Sequence, residues 1–186
     1  MNKKTQFITE IGIFSALAIA LDLVCGLLFS FSWTQGGSIS IGMFPVFIMA
    51  MRWGPKGGFS SGFIFGVIQI VLPTAYLAGG LFQVLFDYVF AFTVLGVAGF
   101  MIYFIKANDK HNIIVVSSVF MIIAGLLRSI FHIISGMLFF DVPLWGSIVY
   151  NMPYMLPSMA VSIIIVIAFT LKAPQLVFLP EEDLSK

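Results

Sequence analysis

The sequence predicts an all-α integral membrane protein: a single six-helix membrane domain over residues 1–186, with six transmembrane helices and both termini cytoplasmic. Three observations lead there. Hydrophobic residues make up 60% of the chain and charged residues only 9%, whereas a soluble domain carries about 25% charged residues. Six apolar stretches approach the roughly 20 residues that a helix needs to cross the hydrocarbon core. Lys and Arg fall at alternate ends of those stretches.

The first stretch, 7–29, follows Lys3 and Lys4. That start is like a secretion signal, but no clear small-residue cleavage site interrupts the run, so it reads as a retained spanning helix. The single cysteine, Cys25, excludes an internal disulfide and a cysteine-rich metal site, and reads as a buried, unreactive thiol. The turn-prone Gln35-Gly36-Gly37 leads into a second, short stretch at 39–52. Trp53-Gly54-Pro55 then forms a tight turn before the third at 57–74. Ala78-Gly79-Gly80 precedes the fourth at 81–105, Asn108-Asp109-Lys110 the fifth at 112–139, and Asp141-Val142-Pro143 the sixth at 148–171.

Lys3, Lys4, Arg52, Lys56, Lys106, Lys110, Lys172 and Lys186 all belong to one set of ends, and the opposite loops contain neither Lys nor Arg. This is the positive-inside asymmetry, which puts both termini in the cytoplasm. Trp33 and Trp145 then belong to the outer interface and Trp53 to the inner one.

One basic residue stands apart. Arg128 lies about 24 Å along its helix, in the outer part of the membrane. His132 is one turn further out on the same face. Asp87, with Tyr88 beside it, is about 9 Å in from the outer end of the fourth stretch. Asn151 and Tyr154 occupy the first turns of the sixth, Tyr76 precedes the Gly79-Gly80 turn, and Trp33 and Gln35 lie in the outer loop before the second. An ionisable residue inside a membrane marks a functional site by default and needs a partner. Asp87 and Arg128 are the expected partners, either as an ion pair locking two helices or as two walls of a pocket. Such a pocket combines a carboxylate, a guanidinium, an imidazole, an amide and aromatic rings. It suits a small heteroaromatic, amino-bearing or cationic nutrient captured from outside.

At these residues the chain resembles the thiamine-specific substrate-binding (S) components of energy-coupling factor (ECF) transporters. The resemblance lies in QGGSISIGMFPVFIMAMRWG (35–54), QVLFDYVFAFTVLGVAG (83–99), LLRSIFHIISGMLFF (126–140) and YNMPYMLPS (150–158). It implies thiamine bound near the outer face, with Asp87 accepting from the aminopyrimidine. It also implies substrate contacts from Tyr88, Arg128, His132, Asn151, Tyr76, Trp33 and Tyr154. Some members carry Glu and Lys where this chain has Asp87 and Arg128, and Trp where it has Phe140; Trp33, Tyr154 or Trp145 then supply stacking rings. The implied partners are an ECF coupling transmembrane subunit, two ATPase subunits and the lipid bilayer, with thiamine as cargo and no cofactor or metal.

Small residues recur every four positions at Gly12, Ala16 and Ala20, and again at Gly58, Gly62 and Gly66. Such ridges let helices pack closely in lipid. The second ridge reads as internal packing; for the first, the resemblance implies docking on the coupling subunit. No GxxxxGK[ST] motif is present, so ATP hydrolysis belongs to another chain. Two alternatives stay open. One is a transporter for a related ring compound, such as a thiamine precursor or riboflavin. The other is an intramembrane hydrolase using Asp22 with Asp87, or His132 with Ser129 or Ser135.

Overall fold

The computed structural model describes residues 2–29, 37–73, 75–106 and 109–179. Among them the chain is all-helical, in six elements: α1 (Lys3–Phe29), α2 (Met43–Gln69), α3 (Gly80–Tyr103), α4 (Lys110–Phe139), α5 (Leu144–Lys172) and the short α6 (Pro174–Val177). α1, α3, α4 and α5 are each long and apolar enough to cross a membrane.

α1 buries only a narrow stripe, Ile11, Ser15, Ala18, Cys25 and Gly26. Its other faces expose Ile8, Ile13, Val24, Leu27 and Leu28. A helix apolar all round yet half exposed suits a lipid surround better than water. Cys25 is buried and free, as expected.

The second and third predicted stretches form one element that doubles back on itself. At Gly54 the backbone takes φ 66° and ψ −157°, a conformation that glycine adopts without a Cβ penalty. Pro55 follows it. The two arms lie against each other, since a Cβ on Gly57 would stand 2.5 Å from the Met49 carbonyl oxygen. The first arm is buried almost throughout, from Pro45 to Met51, and forms the centre of the core with Phe65, Phe92, Leu95 and Met121. The second arm ends at Gln69 rather than at the predicted 74.

The Gly58, Gly62 and Gly66 ridge is spent on internal packing. Added Cβ atoms there would meet Gly96 Cα at 2.8 Å, the Phe92 carbonyl at 2.4 Å and the Tyr88 carbonyl at 2.5 Å. The partner helix, α3, changes winding along its length. Leu85–Phe90 is π-wound, and Val94–Tyr103 is wound as a 3₁₀ helix.

α4 starts at Asp109, whose side chain accepts from the Asn112 backbone N–H and so caps the helix. α5 begins at Leu144, four residues earlier than predicted, and carries Pro153 and Pro157. Its inward stripe is polar: Ser147, Asn151, Tyr154, Ser158 and Ser162 are buried. At the end of the molecule where α2 doubles back, Arg52 ties three segments together. Its Nε donates to Glu10 Oε2 at 2.5 Å and its Nη2 to Glu10 Oε1 at 2.8 Å. Its Nη1 donates to the carbonyls of Gln175 and Phe178.

Candidate ligand-binding cavity

The ends of the α2 arms away from Gly54 meet at one carboxylate. Asp22 on α1 accepts from the Ser40 hydroxyl and the Gln69 side-chain amide. Ser40 N–H in turn donates to Ser158 Oγ at 2.9 Å, which ties this knot to α5. Above it opens a cavity of about 240 Å³ between α1, α2, α3, α4 and α5. Seven residues singled out from the sequence line it: Tyr76, Asp87, Tyr88, Arg128, His132, Asn151 and Tyr154. The eighth, Trp33, lies outside the described residues.

The pairing inside the cavity differs from the expected one. Asp87 does not pair with Arg128. Its Oδ1 faces His132 Nδ1 at 3.2 Å, and its Oδ2 accepts from Gln83 Nε2 at 2.6 Å. Arg128, only 7% exposed, lays its guanidinium over the Phe92 ring, 4.3 Å from the centroid. The π-wound turn accounts for the difference. It contains Asp87 and Tyr88 and turns their faces away from where a regular 3.6-residue helix would aim them.

Tyr88 fixes the chain before α3. The Tyr76 backbone N–H donates to Tyr88 Oη at 2.6 Å, and Gln83 Nε2 donates to the Tyr76 carbonyl at 2.9 Å. Tyr76 thereby brings its ring to Phe140, centroids 5.8 Å apart. On the opposite wall the Tyr154 hydroxyl donates to Asn151 Oδ1, and Asn151 Nδ2 donates to the Ser147 carbonyl at 2.8 Å. Tyr150 packs edge-on against Tyr154. Gly37, at φ 98°, passes so close that an added Cβ would stand 2.8 Å from the Tyr154 ring, so only glycine lets the chain cross there.

Several buried polar atoms at this cavity lack a protein partner: Gln83 Oε1, Arg128 Nε, His132 Nε2 and Ser135 Oγ. Buried polar groups are nearly always satisfied, so four orphans around one cavity mark a place for a polar ligand. Asp22, Gln69, Gln83, Ser147 and Tyr150 also line it. Sequence reasoning gave them no role there, although each is a polar residue in or beside an apolar run. Asp22 was legible as an intramembrane carboxylate, but only as a candidate catalytic acid.

The hydrolase arrangements do not assemble. Ser129 Oγ bonds back to the Gly125 carbonyl at 2.9 Å. Neither Ser135 Oγ nor His132 Nε2 has a hydrogen-bond partner among the described residues, so they are not bonded to each other. The oxygens of Asp22 and Asp87 face other side chains rather than one another. Among the described residues no group of three or more His, Cys, Asp or Glu side chains forms a metal site.

Fold and cavity together define a class: a multi-pass membrane protein that encloses a polar, ligand-sized chamber among its spanning helices. The chain belongs to the family described as thiamine transporter protein (Thia_YuaJ), whose profile matches residues 8–178. It is 36% identical over 191 residues to the thiamine transporter ThiT of Bacillus subtilis, covering 95% of this chain and 97% of that one. The solved structure of ThiT from Listeria monocytogenes superposes with a TM-score of 0.79 at 27% identity, covering 95% of this chain and all of the other. The family is one of transporters and not of enzymes.

Proposed function

We propose that this protein is the thiamine-binding S component of an ECF-type importer, taking thiamine from outside into the cavity around Asp87. The cavity carries this reading. Asp87 accepts from the aminopyrimidine, and His132, held by Asp87, offers its free Nε2. Tyr76, Tyr88, Phe140, Tyr150 and Tyr154 supply ring faces for the pyrimidine and the thiazolium. Arg128 and Asn151 complete the polar walls, and Trp33 is proposed as a further stacking ring.

Six crossings with both termini in the cytoplasm fit this role. The doubled-back α2 contributes two of them. Arg52 and Lys56 flank its turn at Gly54, while the cavity opens at the far ends of its arms, so the basic end faces the cytoplasm and the cavity the outside. Gly12, Ala16 and Ala20 form an exposed stripe on α1, and an added Cβ on Gly12 would meet nothing within 4 Å. That free ridge suits close docking of the coupling transmembrane subunit, with two ATPase subunits supplying energy.

The test is a titration of the purified protein with thiamine, its isolated pyrimidine precursor and riboflavin. We expect tight one-to-one binding of thiamine. Binding of riboflavin or the precursor alone would replace thiamine as the ligand. Thiamine uptake by cells that lack the coupling ATPases would contradict the shared-module mechanism.

A further inference from the structure

Gln83 is fully buried, at 0% exposure, yet it lines the cavity. Its amide does not titrate, so one end always donates and the other always accepts. The donating end is pinned. Nε2 donates to the Tyr76 carbonyl at 2.9 Å and to Asp87 Oδ2 at 2.6 Å. A backbone carbonyl can only accept, so the atom facing it is the amide nitrogen, and the amide cannot be turned over. Both of its N–H groups are spent on these two oxygens.

The accepting end is not used. Oε1 is buried and has no hydrogen-bond partner among the described residues. Leaving such an acceptor unpaired is costly, and buried polar atoms are nearly always satisfied. Gln83 precedes Asp87 by four residues on α3, which puts the two side chains on one face. Oε1 shares its carbon with Nε2, so it lies one amide width beyond the hydrogen bond to Asp87. Two acceptors so placed span the two N–H groups of a single planar amino nitrogen.

We propose that Gln83 is a specificity-determining residue: its Oε1 accepts one N–H of the ligand's aromatic amino group while Asp87 accepts the other. This deepens the reading of the cavity as a thiamine site and rests on it. The aminopyrimidine of thiamine carries such a group. Its nitrogen lone pair is delocalised into the ring, so the group donates twice and does not accept. A pair of acceptors side by side is the wall that suits it.

The experiment is calorimetric titration of the full-length protein with thiamine and with the analogue carrying hydrogen in place of the pyrimidine amino group. Wild type, Gln83→Met and Gln83→Glu are compared. Wild type favours thiamine, because a site built to bond an N–H rejects a ligand that lacks it. Gln83→Met keeps the length of the side chain without its polar end. It shrinks the preference by about fivefold, the worth of one neutral hydrogen bond. Gln83→Glu retains an acceptor oxygen at this position and retains the preference. Gln83→Met weakening both ligands in equal proportion would overturn the inference and leave Gln83 a brace between Tyr76 and Asp87. So would a wild type that binds the two ligands alike. If Gln83→Met does not fold, loss of the preference in Gln83→Glu overturns the inference by itself. A wild type that does not bind thiamine would instead sink the thiamine reading.

Discussion

Tyr88 shows how much a single buried hydroxyl can organise. It accepts from the Tyr76 backbone N–H at 2.6 Å, the bond that anchors the chain before α3. Tyr88→Phe leaves a part-buried donor unpaired, which costs about 1–3 kcal/mol. We expect a several-fold faster release of thiamine in stopped-flow measurements, because Tyr76 and its ring lose their anchor. Unchanged release would mean that the Tyr76 segment is held by other contacts. At this scale the sequence was informative about membership and misleading about pairing, since it put Asp87 with Arg128 where the structure puts it with His132 and Gln83. Asp87, Arg128 and His132 stood out because ionisable groups are costly in lipid. Which of them touch depends on helix rotation, and the π-wound turn at Leu85–Phe90 breaks the periodicity from which rotation is read. Asp22 stood out for the same reason, but its role depends on Ser40 and Gln69, separated from it by 18 and 47 residues.

At the scale of elements, two ridges of small residues behave oppositely. Gly62 touches backbone: an added Cβ would stand 2.4 Å from the Phe92 carbonyl oxygen, with no flexible side chain to yield. Gly62→Val should therefore destabilise the fold by about 1–3 kcal/mol through overpacking, seen as a lower melting temperature in detergent. Gly12→Leu should leave melting temperature and thiamine affinity unchanged and abolish uptake in cells that carry the coupling module. Normal uptake by Gly12→Leu would remove α1 as the docking face. Spacing reveals a ridge in sequence but not which way it faces. α1 settles its direction by burying Ile11, Ser15 and Ala18 on the other side. The doubled-back α2 was partly legible, since Trp53-Gly54-Pro55 announces a turn. Its burial as the molecule's centre was not, because an apolar run reads alike against lipid and against protein.

For the whole molecule, orientation is the property that charge placement dictates. Trp145, 76% exposed at the start of α5, and Lys56, just beyond the Gly54 turn, should face opposite sides of the membrane. In a Cys25→Ala background, an impermeant maleimide added to intact cells should label Trp145→Cys and spare Lys56→Cys. The reverse pattern would invert the topology.

The cavity around Asp87 as the thiamine site is tested most directly by titrating wild type and Asp87→Asn with thiamine while recording the melting temperature of each without ligand. We expect one thiamine per wild-type chain and binding at least about tenfold weaker in Asp87→Asn, the loss of a charge-assisted hydrogen bond, with little change in the ligand-free melting temperature. Equal affinity in the two proteins, or a fall in ligand-free stability as large as the fall in affinity, would contradict it.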